Sequence, residues 1–147
     1  MLKEEAEELK SKEEFYKMVR TLLTKAETEA AQEENEPLAA VLRGYRLVIF
    51  GGSVEWQRGI RRILDSEYKN YVMHDIHSMT GLPKINDNDI VVVNVFDVLH
   101  ADYARVVPKL RKNSRIFMHV AVLGVSRFKD VLTSELRKRE ERIKQVM

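Results

Sequence analysis

The run Ile90–Val95, reading IVVVNV, constrains this chain more than any other feature. Five of its six residues are β-branched and apolar, and no polar residue alternates with them. Branching at Cβ favours the extended backbone. An apolar run without alternation predicts a strand buried on both faces, the habit of parallel sheets. Arg46–Phe50 (RLVIF) repeats the pattern, bounded by Gly44 and by Gly51-Gly52. Two such strands need a covering layer on each side, so the rest of the chain has to supply helices for both faces of a sheet.

The intervening segments have that character. Ser53 is placed to cap a helix running from Val54 to about Tyr68, with Trp56, Ile60, Ile63 and Leu64 on one side. A further strand begins at Tyr71–Met73. Residues 76–88 hold Gly81, Pro83 and two Asn, and read as loop. A helix follows the IVVVNV strand from Ala101 to about Lys112, and Pro108 within it predicts a kink or break. Arg115–Val120 (RIFMHV) is a fourth strand. Ser126 is the expected cap of a last helix whose inner stripe is Phe128, Val131, Leu132, Leu136 and Ile143, and whose charged tail, RKREERIKQVM, is expected to project into solvent. Strands alternating with helices predict an α/β fold with a small Rossmann-like parallel sheet of about four strands. Right-handed crossovers place helices on both faces, and the expected strand order is 2-1-3-4.

Ahead of this body, residues 44–147, the sequence predicts a helical arm over residues 1–43. Within a helix over 12–34, Phe15, Met18, Val19, Leu22, Leu23 and Ala26 fall on one stripe. Glu34-Asn35-Glu36-Pro37 should end it. Residues 38–43 read as a second, short helix stopped by Gly44. The stripe needs a partner, either the body or the same helix of a second chain, and a homodimer through this helix is the expectation. The net charge of +2 is split: residues 1–36 carry 11 acidic and 6 basic side chains, a net of −5, whereas residues 37–147 carry 12 and 19, a net of +7. Cysteine is absent, which removes disulfides, thiolate metal sites and a Cys nucleophile. No apolar run reaches the roughly 18 residues that span a bilayer, and the N-terminus lacks a signal-peptide core, so a cytoplasmic protein without membrane contact is expected.

In open parallel sheets ligands bind beyond the carboxyl ends of the strands, where the strand order reverses. With order 2-1-3-4 that point joins Gly51, Gly52 and Ser53 to the segment Asn94–His100, making Gly51, Gly52, Ser53, Asn94, Asp97 and His100 the candidate ligand-binding residues. A helix opening after glycines suits an anion, although no complete phosphate-binding glycine motif is present. Asp97 and His100 are spaced as a possible acid–base pair. His74 and His77, with His100, are candidate metal or haem ligands. Arg58, Arg61 and Arg62 lie at i, i+3 and i+4 and form a basic patch for phosphates of nucleic acid, or for a protein surface.

Residues 46 to about 136 resemble the bacterial family termed domain of unknown function 2325. The resemblance rests on the strand ending in Gly51-Gly52, the strand ending in His74-Asp75, the DIVVV strand at Asp89–Val93, His100 opening a helix, and RIFMHV leading to a helix near Ser126-Arg127-Phe128. Leu99 stands where the family usually has Ser, and Ile76 where it has Gly. The resemblance implies a compact Rossmann-like domain behind a helical segment, and a possible haem site at His100 and His74. The sequence therefore points first to a non-enzymatic ligand-binding or regulatory module for a small anion, nucleotide or haem. The alternatives are an enzyme using Asp97 and His100 on a phosphate-bearing substrate, and a nucleic-acid or protein interaction domain using the three arginines.

Overall fold

The computed structural model describes residues 3–30 and 37–146. It is an α/β fold in the order α1 (Lys3–Ala30), α2 (Leu38–Leu42), β1 (Arg46–Gly51), α3 (Val54–Glu67), β2 (Tyr71–His74), β3 (Asp89–Asn94), α4 (His100–Asn113), β4 (Ile116–Val120) and α5 (Val125–Val146). The four strands form one sheet in the order β2-β1-β3-β4, and every pairing is parallel. At the carboxyl edge the register aligns Phe50 with His74, Gly51 with Asn94, and Asn94 with Val120.

The central strands are buried on both sides, as their composition requires. Leu47, Ile49, Ile90 and Val92 face one core with Trp56, Ile60 and Leu64 of α3, Leu38 and Leu42 of α2, and Phe128, Leu132 and Leu136 of α5. Val48, Phe50, Val91 and Val93 face the other, with Val106, Val107 and Leu110 of α4. The connection from β2 to β3 has no helix. Its irregular segment instead inserts Ile76, Met79 and Ile85 into the second core.

Several boundaries differ from the sequence expectation. α1 starts at Lys3 rather than near residue 12. The added turns are rich in Glu and Lys, which are good helix formers, and acidic residues suit a helix N-terminus; Glu8 and Lys12 form an i, i+4 pair at 3.5 Å. The expected end of this helix at Glu34–Glu36 lies outside the described residues, as does the side chain of Ile143. α4 runs on through Pro108 without a break. A proline inside a helix costs about 3 kcal/mol, and burying Val106, Val107 and Leu110 at about 1.5–3 kcal/mol each outweighs it. α5 begins at Val125, so Ser126 sits inside its first turn rather than flanking it.

α1 finds its partner surface in its own chain. Phe15 and Ala26 are buried, and Met18, Val19, Leu22 and Leu23 pack against the second core. Tyr103 of α4 donates its hydroxyl to Met18 Sδ at 3.6 Å, and Lys25 pairs with Glu135 of α5 at 2.6 Å. The arm thus belongs to the body's packing. Phe15→Ala should cost about 3–5 kcal/mol in denaturant unfolding, with a loss that does not change with protein concentration. A loss that varies with concentration would show that the stripe is covered by another chain.

Candidate functional site

The corner between β1 and α3 is shaped by close packing. Gly51 and Gly52 both have positive φ, +87° and +78°. A Cβ on Gly51 would run into the carbonyl of Asn94 on β3, and one on Gly52 into the ring of Trp56. The glycines are therefore demanded by the approach of β1 to β3 and by the seat of Trp56, independently of any ligand. Ser53 caps α3, accepting a hydrogen bond from Trp56 N at 3.1 Å. Asn94 is fully buried and its amide is occupied: Nδ2 donates to Val122 O at 3.1 Å, and Oδ1 accepts from Val122 N and Phe96 N, each at 3.2 Å. It ties the end of β3 to the segment after β4.

A cleft of about 230 Å³ opens at this edge, lined by Gly51, Gly52, Asp75, Ile76, His77, Asp97, Val98, Leu99 and Asp102. It sits where the strand order reverses, at the place the sequence singled out. Its chemistry is different from that expected, because its charged wall comes from the β2–β3 connection and the first turn of α4. His77 Nδ1 meets Asp102 Oδ2 at 2.8 Å. Asp102 Oδ1 accepts from Arg105 at 3.3 Å, and Arg105 also donates to the carbonyls of Met79 at 2.6 Å and Ile76 at 3.0 Å. These bonds clip the irregular crossover onto α4. The hydrogen bond to Asp102 raises the pKa of His77 above the usual imidazole value, with the carboxylate's charge adding to it. The same bond, helped by Arg105, holds Asp102 below the usual carboxylate value against the effect of burial. Asp97 is exposed and adopts a left-handed backbone, φ 64°, which Asp tolerates better than most residues.

The other expected site residues are dispersed. His100 does not pair with Asp97; its Nε2 meets Ser11 Oγ of α1 at 3.0 Å, and its ring lies edge-on to Phe15 at 5.5 Å. The expected acid–base pair is absent because α4 starts at His100 and turns that side chain toward α1. His74 is half-buried and stacks on Phe50 at 5.1 Å; burial, then the charge of Arg46, lowers its pKa. His74, His77 and His100 therefore serve three separate partners, and no group of metal-ligating side chains converges among the described residues. The haem expectation fits poorly for the same reason, and because the cleft is smaller than the ~300–1,000 Å³ typical of drug-sized ligands. Arg58, Arg61 and Arg62 are exposed on the outer side of α3, with Glu55 and Asp65 on the same helix.

Sequence reasoning missed the His77–Asp102 pair and a second network beneath α1. There, Arg111 Nη2 donates to His119 Nδ1 at 2.9 Å, and His119 Nε2 meets the Tyr103 hydroxyl at 3.0 Å. A guanidinium can only donate, so Nδ1 accepts and the proton of neutral His119 sits on Nε2. Burial, then the charge of Arg111, pushes the pKa of His119 down to about 4. Both networks join residues on different elements, which no periodicity within one element signals.

No family model, curated protein or solved structure matches the chain. Among the described residues no helix is long and apolar enough to cross a membrane.

Two titrations follow from these networks. The ring proton signals of His77 should titrate above the ordinary value of about 6.5 and return toward it in Asp102→Asn. The pair stabilises the fold only while His77 is charged and Asp102 ionised. Its contribution is lost as pH rises through the raised His77 pKa, and again as pH falls through the lowered Asp102 pKa. An unshifted His77, or one indifferent to Asp102→Asn, would contradict the pairing. His119 has the opposite sign. The unfolded chain takes up its proton near 6.5 and the folded chain only near 4, so stability should fall as pH drops across that interval. Thermal unfolding of His119→Gln should show a shallower slope there than the parent.

Proposed function

We propose that this chain is a ligand-binding module whose site is the cleft at the carboxyl ends of β1 and β3. The observation that carries this reading is the lining: a His77–Asp102 pair beside Asp75 and Asp97, in a recess at the point of strand reversal. A cleft of about 230 Å³ suits a ligand, or part of one, smaller than a nucleotide or porphyrin. Asp102 is offset by His77 and Arg105, which leaves the carboxylates of Asp75 and Asp97 to favour a ligand that is positively charged or rich in hydrogen-bond donors. Phosphate is the wrong sign for this wall, and Glu55 in the first turn of α3 offsets the favourable end of that helix.

One feature supports a second reading. A carboxylate on Nδ1 fixes the orientation of the His77 ring and leaves Nε2 able to exchange a proton with a bound molecule. The acid–base alternative thus moves from Asp97 and His100 to Asp102 and His77.

A screen of small amines, guanidinium compounds and amino-acid amides, with phosphate and haemin as contrasts, tests both readings. Binding is read by thermal shift and by the His77 ring signals. A ligand at a hundredfold excess over its Kd raises stability by about 2.7 kcal/mol. Hits are expected among the cationic compounds and should vanish in Asp97→Asn and Asp75→Asn. Turnover of a hit, abolished in His77→Ala, would favour the acid–base reading. If phosphate or haemin is the hit, or if hits survive both substitutions, the cleft is not this binding site.

A further inference from the structure

The two cations that offset Asp102 differ in kind. Arg105 is tied to three acceptors, Asp102 and the carbonyls of Met79 and Ile76, and its guanidinium stays charged throughout the neutral range. His77 can lose its charge. Its Nδ1 meets Asp102 Oδ2 at 2.8 Å, and its side chain is 75% exposed, whereas that of Asp102 is 14% exposed. Two more carboxylates face it. Asp75, on its own segment, accepts a hydrogen bond from His77 N at 3.2 Å, and Asp97 lines the same cleft.

The charge of the wall therefore depends on one proton. Asp75, Asp97 and Asp102 meet two positive charges, His77 and Arg105, while His77 is protonated, a net of −1. They meet only Arg105 once it is neutral, a net of −2. The bond to Asp102 moves that change above the ordinary imidazole value of about 6.5. The neighbouring histidines do not share this role. His74, next to Asp75, is held neutral to lower pH by burial and then by the charge of Arg46. His100 turns away to Ser11 and Phe15 of α1.

We propose that a cation entering the cleft expels the proton of His77, so that pH sets the affinity of the site. This rests on the reading of the cleft as a site for a cationic ligand, and it names the regulation of that site. A cation bound in so small a space lies within the roughly 8 Å over which charges act at physiological salt. It shares the carboxylate of Asp102 with His77, and the two positive charges oppose each other. Neutral His77 keeps its Nδ1 proton on Asp102 and gives up the one on Nε2, so the wall changes charge while the bond that orients the ring remains. Linkage makes the effect reciprocal: losing the proton strengthens cation binding by the factor with which the cation weakens proton binding.

The probe is methylguanidinium, whose own charge is constant across the neutral range. Its Kd is measured by calorimetry at about pH 6 and about pH 9, on either side of the histidine range. Affinity should rise about fivefold between them, at the low end of typical couplings because His77 is exposed and water screens its charge. In the unsubstituted protein, saturating methylguanidinium should lower the midpoint of the His77 ring signals by the same factor, about 0.7 in pH. His77→Gln sets a neutral amide beside Asp102 and should bind the probe equally at both pH values. Asp97→Asn should weaken binding at both, as expected of a cation held in the cleft. Equal affinity at the two pH values in the parent, or a rise that persists in His77→Gln, overturns the coupling and leaves the cleft reading standing. Tighter binding at the lower pH does the same. Absence of methylguanidinium binding at either pH overturns both.

Discussion

The structure depends on the burial of β1 and β3 from both sides. Val48, Ile49, Phe50, Val91, Val92 and Val93 are all essentially inaccessible to solvent. Strands of this kind are stable only when each face of the sheet carries its own layer. The parallel pairing of β1 with β3 then requires crossovers, and the chain makes them with α3 and the irregular segment on one route and with α4 on the next. β1 therefore becomes an inner strand with later strands added on both sides of it. The reversal point at the carboxyl edge follows from that order. It is a geometric product of covering two buried strands.

The same constraint explains why the glycine corner is an ambiguous functional signal. β1 and β3 approach so closely at Gly51 that a Cβ would meet the Asn94 carbonyl, and Asn94 in turn holds the segment after β4 through its side-chain amide. The residues that first drew attention at the strand ends are thus occupied in building the rim. The groups with free chemical capacity arrive from elsewhere. His77 comes on the irregular crossover and Asp102 on the first turn of α4, and Arg105 fastens one to the other. The rim's polar groups are paired, and His77 on the cleft wall has one ring nitrogen paired and its side chain exposed.

α1 extends this logic to the arm. Its stripe lies against the body through Phe15, Met18 and Leu22, and its Ser11 shares a hydrogen bond with His100. Lys25 of the arm pairs with Glu135 of the body, opposite to the overall charge split. Apolar burial, and not the net charges, seats the helix. The same helix reaches the network of Tyr103, His119 and Arg111 through Met18, and partial burial keeps His119 neutral there.

The sequence by itself determined the elements that local chemistry dictates. The β-branched runs specified the inner strands, the 3.6-residue periodicity specified the helices, and Ser53 specified the start of α3 by supplying an acceptor to a free N–H. These signals are carried by neighbours in the chain, and the strand order followed from them through the handedness of crossovers. Only the tertiary structure decided that α1 packs on its own body, that α4 survives Pro108, and that His100 faces α1 while His77 faces Asp102. Each of those outcomes compares energies between segments far apart in sequence: buried area against one lost helical hydrogen bond, or one carboxylate partner against another. A single strand or helix contains no record of such a comparison, so the fold was legible in the residues and the chemistry of its cleft was not.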